Sequence, residues 1–214
     1  MSLPRIRSYR YQLPEQINTV RWQVDPQQAG LLIHDMQNHF IDIFDRSQPD
    51  SQINRAIHNI QLLRDWAQEE QVPVYYTAQP AHQDPKDRAL LTDFWGQGIA
   101  SQEAAQILAE LKPRQSEEHI TKWRYSAFER TNLEALLKER GLRQLIITGV
   151  YAHIGCLSTA LQAFMLDIEP FLIADALADF NAQDHAMACQ YAAKRCARLL
   201  NTDQLLQETQ RGRA

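Results

Sequence analysis

Three stretches of this chain carry side chains that can move protons or balance charge, and each follows a run of residues that predicts a strand. Asp35 comes after the apolar run Ala29–Ile33, and Lys122 ends a short extended stretch that begins at His119. The third stretch is the turn Tyr151–Gly155. A carboxyl group can serve as a general acid or base, and a lysine ammonium group can orient or neutralise an anion. Because the carboxyl ends of parallel strands meet at one edge of a sheet, these residues are expected to converge there.

A cysteine stands directly after this turn and is a possible nucleophile. The chain has three cysteines, Cys156, Cys189 and Cys196, and they are widely spaced. Their odd number and their spacing indicate neither a disulfide framework nor a metal site. Free cysteines are usually buried as small apolar residues, so all three are interpreted as core residues.

Strand and helix patterns alternate along the chain and must position these residues. Apolar residues recur at a spacing of three to four between Ile53 and Glu70, which predicts a helix, and Val72–Thr77 predicts a strand. The long polar connection Gln79–Gly98 is expected to be a functional loop. Further helices are predicted at Ser101–Leu111, Thr131–Arg140, His153–Leu166 and from a cap at Asn181 to about Leu199, and further strands at Gln144–Thr148 and Pro170–Ala174. This alternation predicts an α/β fold of three layers, with a central, mostly parallel sheet covered by helices on both faces.

Length and composition are typical of one globular domain. Of the 214 residues, 44% are hydrophobic and 22% are charged, so a single domain over residues 1–214 is expected. The segment up to Asp25 is expected to wrap the surface irregularly, and the tail from Glu208 to fray. A net charge of −4 argues against nucleic acid as a partner. No apolar run reaches the length of a membrane span or a signal peptide, so a cytoplasmic protein without membrane contact is expected.

Five blocks of sequence occur in an order that one family shares. They are His34–Gln37, Tyr76–Pro80, Arg88–Gly96, Thr121–Phe128 and Ile147–Gly155. Together they resemble the isochorismatase branch of the isochorismatase-like hydrolases, and the likeness runs from about Pro4 to about Leu205. In the wider superfamily an aspartate, a lysine and a cysteine form a catalytic triad. The resemblance places Asp35 and Lys122 on the first two positions and Gly155 on the cysteine position.

The resemblance implies hydrolysis of the enolpyruvyl ether of isochorismate to 2,3-dihydro-2,3-dihydroxybenzoate and pyruvate, a step of siderophore synthesis. A vinyl ether has no amide carbonyl for a thiolate to attack, and it needs a proton on its terminal carbon instead. Asp35 is the expected general acid, and Lys122 is expected to orient the reacting group and balance charge. Gly155 is expected to leave space and a backbone donor for the substrate. One residue of helix turns a side chain by about 100°, so Cys156 is expected to point away.

Isochorismate is a small dicarboxylate, so its site needs donors and cations beside an apolar wall. The resemblance implies binding by Gln79, Arg88, Lys122, Tyr151 and the Gly155 backbone, with Phe40, Trp95 and Tyr125 as the wall. His34 and His153 flank these residues and are expected to make structural hydrogen bonds. Metal-using relatives carry an Asp-x-His pair after the second strand, which Gln79–Asp84 lacks, so neither a metal nor another cofactor is expected.

Other interpretations stay open at this point. The same reaction on 2-amino-2-deoxyisochorismate, in phenazine synthesis, is the main alternative. A cysteine amidohydrolase is a more distant one, and a non-catalytic docking protein would tolerate Asp35→Asn. Family likeness suggests a homodimer, with the apolar stretch Gln183–Leu200 serving an interface or the core. No aryl carrier motif is found in the chain, so a separate carrier protein or synthetase is a possible partner.

Overall fold

Six parallel strands form the central sheet of the computed structural model, which describes residues 3–211. The strands are β1 (Ala29–His34), β2 (Val74–Ala78), β3 (Glu118–Thr121), β4 (Gln144–Val150), β5 (Glu169–Ala178) and β6 (Arg198–Leu200). Their order is β3-β2-β1-β4-β5-β6, and every neighbouring pair is parallel. The chain therefore winds outward in two directions from β1 and β4. Folds of this order bind ligands at that switch point, beyond the carboxyl ends of the strands.

Helices cover both faces of the sheet. Within residues 3–211 they are α1 (Asn38–Ile41), α2 (Gln52–Glu69), α3 (Pro85–Arg88), α4 (Leu91–Trp95), α5 (Gln102–Ala105), α6 (Leu133–Glu139), α7 (Leu157–Met165), α8 (Ala182–Arg195) and α9 (Thr202–Arg211), with a 3₁₀ turn at Ala109–Leu111 and a π turn at Ala152–Cys156. Leu31 and Ile33 of β1 belong to the apolar cluster under α2 and α9, whereas Leu32 belongs to the cluster under α6, α7 and α8. This alternation is that of a strand covered on both faces. The predicted three-layer α/β architecture is confirmed, with a sheet that is parallel throughout.

No helix within the described part of the chain has both the length and the apolar character that crossing a membrane requires.

Local sequence explains the long helix α2. The Ser51 side chain accepts a hydrogen bond from the backbone N–H of Asn54 and so caps the helix. Ile53, Ile57 and Ile60 lie on its buried face at the spacing that predicted the helix. The helix anchors the layer on one side of β1.

The helix predicted over Ser101–Leu111 is wrong. Only the short α5 and the 3₁₀ turn form there, because the backbone between them pairs with the segment after β1. Asn38 N donates to Gln106 O at 2.9 Å, and Leu108 N donates to Met36 O at 2.8 Å. These tertiary hydrogen bonds replace the ones that a continuous helix would make.

The connection Gln79–Gly98 contains two short helices, α3 and α4, and is not a simple loop. The Asp84 side chain accepts from the backbone N–H of Lys86 at 2.8 Å, and Pro85 stands at the first helical position. Both features favour the start of a helix. The connection is therefore built to hold its side chains in place.

The C-terminal part differs from the prediction in three places. The helix capped by Asn181 is α8, which ends before Leu199, and the edge strand β6 follows. The strand predicted at Pro170–Ala174 continues to Ala178. The tail expected to fray from Glu208 is helical through the end of α9, and positions 212–214 lie outside the described residues. A three-residue edge strand is too short to show a periodic pattern, which is why the sequence did not reveal it.

The N-terminal segment is irregular from residue 3 to Asp25, as predicted, apart from an isolated bridge between Ile6 and Phe44. The Tyr9 hydroxyl of this segment accepts a hydrogen bond from Asp179 N at 2.7 Å and contacts His185 Nδ1 at 3.0 Å. The segment is thus tied to the end of β5 and to α8.

Candidate active site

A cavity of about 570 Å³ lies beyond the carboxyl ends of β1 and β4. This volume is typical of sites that enclose a small molecule. All nine residues proposed from the sequence line it, namely Asp35, Phe40, Gln79, Arg88, Trp95, Lys122, Tyr125, Tyr151 and Gly155. The fold therefore brings together every predicted site residue, and their roles in catalysis remain predictions.

Asp35 and Lys122 form a buried ion pair at the base of the cavity. Asp35 Oδ2 lies 2.9 Å from Lys122 Nζ, and the two residues are only 4% and 2% exposed. Lys122 Nζ also donates to Arg124 O at 2.6 Å. Asp35 has a φ of 51°, in the left-handed region, which costs about 1–3 kcal/mol when the surrounding structure imposes it. The surrounding contacts thus hold the carboxyl group in one place.

Thr77 fixes the second oxygen of this carboxyl group, and the sequence prediction missed it. Its hydroxyl donates to Asp35 Oδ1 at 2.8 Å, while Asp35 N donates to Thr77 O at 3.2 Å. Thr77 is the register partner of His34 on the neighbouring strand. A polar residue at the end of the strand beside β1 was the available signal.

The expectation that Gly155 leaves open space for the substrate is wrong. A Cβ atom at this position would lie 2.2 Å from Cε1 and 2.8 Å from Nε2 of His34, so the imidazole ring fills that volume. His34 Nδ1 lies 2.8 Å from Val150 O, and Nε2 lies 3.3 Å from Tyr125 O. Burial lowers the pKa of His34, and the nearby Asp35 charge opposes this. The structural hydrogen bonding expected of His34 is therefore present, and its ring accounts for the glycine.

Cys156 lies away from the cavity, as predicted. It is fully buried in the apolar cluster under α7 and α8, and its Sγ lies 3.9 Å from Thr148 O. Burial, with Asp179 and Asp35 nearby, raises the pKa of the thiol well above its usual value. Cys189 and Cys196 are also buried and free. None of the three has the electropositive, accessible setting of a reactive thiolate.

Arg88 is held in the cavity wall by the chain that surrounds it. Its Nε donates to Gly96 O at 2.5 Å and its Nη1 donates to Gln83 Oε1 at 2.8 Å. Nη2 lies 3.5 Å from Trp95 O. A guanidinium group has five N–H donors, so donors on both terminal nitrogens remain for an anion. At Gly98, whose φ is 84°, a Cβ atom would lie 2.5 Å from Nη1, so the backbone packs directly on the guanidinium group.

Aromatic side chains form the apolar wall. Trp95 Nε1 donates to the Tyr125 hydroxyl at 2.7 Å, which fixes both rings. The Tyr151 hydroxyl donates to Phe40 O at 3.1 Å, and its ring centroid is 4.5 Å from that of Phe180. Burial raises the pKa of Tyr151. Since the one hydroxyl proton of Tyr151 is used, this residue can only accept a hydrogen bond from a ligand.

Gln79 is positioned through its backbone. Gln37 Oε1 accepts from Gln79 N at 2.8 Å, and Gln37 Nε2 donates to Gln79 O at 2.8 Å and to Ala105 O at 2.6 Å. Among residues 3–211, the side-chain amide of Gln79 has no hydrogen-bond partner. It lines the cavity, where it can donate to and accept from a ligand.

The turn after β4 is held by a buried carboxylate that the sequence prediction missed. Asp179 accepts from His153 N at 2.7 Å and contacts His153 Nδ1 at 2.6 Å. Burial lowers the pKa of His153, but the hydrogen bond and charge of Asp179 outweigh this and raise it overall. The structural role expected of His153 is therefore seen, with Asp179 at the end of the extended β5 as its partner.

Further cavity residues were also missed. His39, Ile43, Leu91, Ile99 and Ile154 add one imidazole and four apolar side chains to the lining. Burial and the Arg88 charge lower the pKa of His39. In the part of the chain that the structure describes, no three His, Cys, Asp or Glu side chains cluster as metal ligands would.

The fold and the cavity define a doubly wound α/β enzyme with a buried aspartate–lysine pair at its switch point. The family model described as Isochorismatase domain matches residues 29–204. The chain therefore belongs to the isochorismatase family of hydrolases.

Several relatives match most of the chain. Enterobactin synthase component B of Escherichia coli is 47% identical over 211 residues, which are 96% of this chain and 73% of the relative. The Isochorismatase of Bacillus subtilis is 48% identical over 213 residues, covering 98% and 68%. Phenazine biosynthesis protein PhzD1 of Pseudomonas aeruginosa is 41% identical over 208 residues, covering 96% and 99%. A cysteine hydrolase from Pseudomonas syringae superposes with a TM-score of 0.79 at 20% identity, over 90% of this chain and 97% of that one, and shows the shared fold.

Proposed function

We propose that the protein hydrolyses isochorismate to 2,3-dihydro-2,3-dihydroxybenzoate and pyruvate, without a cofactor. The observation that carries this proposal is the buried Asp35–Lys122 pair in a cavity where His34 fills the volume of any side chain at position 155. The site thus offers an acid and no thiol. The similarity to relatives named isochorismatase and enterobactin synthase component B supports the same substrate and a place in siderophore synthesis.

The proposed reaction begins with proton transfer to carbon. Asp35 donates its proton to the methylene carbon of the enolpyruvyl group, and the ether oxygen stabilises the cation at the adjacent carbon. Water adds to that cation, and the Asp35 carboxylate takes the proton that the water loses. In the resulting hemiketal, the bond between the former enolpyruvyl carbon and the ring oxygen breaks, the new hydroxyl group loses its proton to form the ketone of pyruvate, and the ring oxygen takes up a proton. Pyruvate and the ring alcohol leave, and Asp35 is protonated again.

Lys122 and Arg88 supply the positive charge of the cavity in this proposal. The Lys122 ammonium group lies 2.9 Å from Asp35 Oδ2. A bound dicarboxylate would bring two negative charges toward these two cations, so substrate binding would offset the positive charge beside Asp35.

The remaining residues bind and enclose the substrate in this proposal. Arg88 suits a carboxylate because its planar donors can contact both oxygens. Gln79 supplies an amide, Tyr151 an acceptor, and the Gly155 backbone borders the reacting group. Phe40, Trp95 and Tyr125 supply the apolar wall against the substrate.

Purified protein incubated with isochorismate is expected to release pyruvate, measured through lactate dehydrogenase and NADH. In D₂O, the pyruvate trapped as lactate is expected to carry one deuterium in its methyl group, because the added proton comes from the exchangeable Asp35 carboxyl group. No pyruvate above background would overturn the proposed activity. The Cys156→Ala protein is the matched control, and its loss of turnover would revive a cysteine amidohydrolase.

The second candidate substrate is 2-amino-2-deoxyisochorismate. The likeness to PhzD1 across 96% of this chain and 99% of that relative favours keeping it. The two substrates differ by an amino group in place of a hydroxyl, so only rates decide between them. We expect a higher kcat/KM for isochorismate than for 2-amino-2-deoxyisochorismate. The opposite result would make the amino compound the proposed substrate.

Gly98→Ala is expected to weaken substrate binding by displacing Arg88. The new methyl group would meet Nη1 at 2.5 Å, so the guanidinium group must leave its position. We expect KM for isochorismate to rise about tenfold or more, as for loss of a charged hydrogen bond, with a smaller change in kcat. The control is Gly141→Ala, where φ is 67° and a Cβ atom meets nothing within 4 Å. Equal KM values for the two variants would show that Gly98 does not determine the position of Arg88.

We also propose that the protein acts as a homodimer in the cytoplasm. Met187 and Tyr191 on the outer face of α8, with Phe164 and Met165 on α7, are exposed apolar side chains, whereas Cys189 of α8 is core. Three free cysteines suit a reducing compartment. Light scattering of the purified protein tests the dimer. A separate carrier protein or synthetase as partner stays a prediction.

A further inference from the structure

At the switch point, the ring of His34 occupies the volume that a side chain at position 155 would need. His34 ends β1 directly before Asp35, and Gly155 lies in the turn after β4. Three atoms of the His34 ring would lie 2.2, 2.8 and 3.1 Å from a Cβ atom at position 155. Heavy atoms of separate side chains do not approach so closely, so these two positions cannot vary independently.

We propose that His34 is a positioning residue which holds the Asp35 carboxyl group in place and closes position 155 to any side chain, so that His34 and Gly155 together commit the site to acid chemistry. This proposal deepens the proposed function and rests on it for the role of Asp35. The packing of the pair is independent of the substrate.

The ring cannot easily move aside. His34 is 1% exposed, and its two nitrogens face Val150 O at 2.8 Å and Tyr125 O at 3.3 Å. Burial lowers the pKa of His34, so the ring is neutral and carries one N–H. Both partners are carbonyl oxygens, which only accept, so the ring N–H donates to one of them. Rotating the ring away from Gly155 would break this bond and leave a buried carbonyl unpaired, which is costly.

The ring also connects the three segments that carry the site. Val150 O lies directly before Tyr151, Tyr125 belongs to the loop after Lys122, and His34 itself is bonded to Asp35. Asp35 Oδ2 lies 3.8 Å from His34 Nδ1. Because His34 is bonded directly to Asp35, a shift of His34 also moves the backbone that carries the carboxyl group. His34 thus acts on the reaction through Asp35.

A cysteine at position 155 therefore requires a smaller residue at position 34. Its thiol would then stand beside Asp35 and Lys122, the setting that lowers the pKa of a cysteine. With His34 present, the same cysteine would collide with the ring. The choice between nucleophilic and acid chemistry is thus made by two positions and not by one.

The first test is a double-mutant cycle with Gly155→Ala, His34→Ala and the double variant, followed by urea unfolding. Gly155→Ala is expected to lower the unfolding midpoint markedly, and His34→Ala in the same chain to restore part of it. The effects of the two single changes should be non-additive by at least tenfold in the unfolding equilibrium constant. Additive effects, or a Gly155→Ala protein as stable as the wild type, would overturn the proposal. This readout does not depend on isochorismate being the substrate.

The second test measures turnover and distinguishes positioning from simple packing. His34→Ala is expected to lower kcat about 100-fold with little change in KM, as for loss of orientation. His34→Asn keeps an N–H close to the Nδ1 position, and its kcat is expected to be at least tenfold higher than that of His34→Ala. Equal kcat for His34→Asn and His34→Ala would reduce His34 to a packing residue.

The third test follows thiol reactivity in a Cys156→Ala background. With Gly155→Cys and His34→Ala combined, iodoacetamide is expected to label one site at neutral pH within minutes, as shown by mass spectrometry. Gly155→Cys alone is expected to give unfolded protein or a slowly reacting thiol. Equal, fast labelling of both folded proteins would show that His34 does not close position 155.

Discussion

The Asp35→Asn protein is expected to fold as the wild type does and to lose turnover of isochorismate by about 10³-fold, the middle of the range for general acid–base catalysis. Asparagine keeps the shape of the carboxyl group. Its amide oxygen can accept from Thr77 or contact Lys122, which bind Asp35 at 2.8 and 2.9 Å. The amide cannot deliver a proton to carbon. KM should change little, because the other binding groups remain.

The measurement is kcat from pyruvate release, with circular dichroism and urea unfolding to confirm the fold. Asp42→Asn is the matched control, since Asp42 is an exposed carboxylate at the end of the nearby helix α1. The control is expected to stay within about twofold of wild-type turnover, as usual for an exposed substitution. A folded Asp35→Asn protein with wild-type turnover would remove Asp35 from the mechanism and favour a docking role.

The convergence of the site could be predicted from sequence because it follows from a rule about sheets. Asp35, Lys122 and the turn at Tyr151–Gly155 each follow a strand, and parallel strands place these ends at one edge. The strand order then puts β1 and β4 side by side, so Asp35 and Gly155 become neighbours. This prediction needed only the pattern of apolar residues in the strands and the positions at which the strands end.

The contacts within the site could not be predicted in the same way, because they depend on side-chain directions across strands. His34 was expected to make structural hydrogen bonds, yet nothing in its local sequence places its ring against Gly155. Thr77 looks like an ordinary strand residue until its register with His34 is known. The sequence therefore indicates that position 155 lacks a side chain, and only the packing shows why.

The irregular segments limited the fold prediction for a related reason. The stretch Ser101–Leu111 has the composition of a helix, but Gln106 and Leu108 bond to the backbone after β1. Such pairing is decided by tertiary structure and leaves no periodic signal. The segment after β1 carries His39 and Phe40 into the cavity, so the mispredicted region supports the site through its hydrogen bonds to that segment.

Lys122→Met is expected to lower both stability and turnover. The change keeps the length of the side chain and removes its charge, so the Asp35 carboxylate stays buried without its cation. Breaking a buried ion pair in this way costs about 3–5 kcal/mol in the free energy of unfolding. Turnover is expected to fall by about 10²–10³-fold, as for loss of a preorganised charge at a reacting group. Urea unfolding and pyruvate release measure the two effects separately.

Adding Asp35→Asn to Lys122→Met separates the charge effect from the loss of packing. With both charges gone, no unpaired ion remains, so the double variant is expected to be more stable than Lys122→Met alone. Turnover should stay lost, because neither the acid nor the cation is present. If the double variant is no more stable than Lys122→Met, then the stability loss comes from the broken hydrogen bond to Arg124 O and from packing. In that case the attraction between the charges of Asp35 and Lys122 would not contribute measurably to the free energy of unfolding.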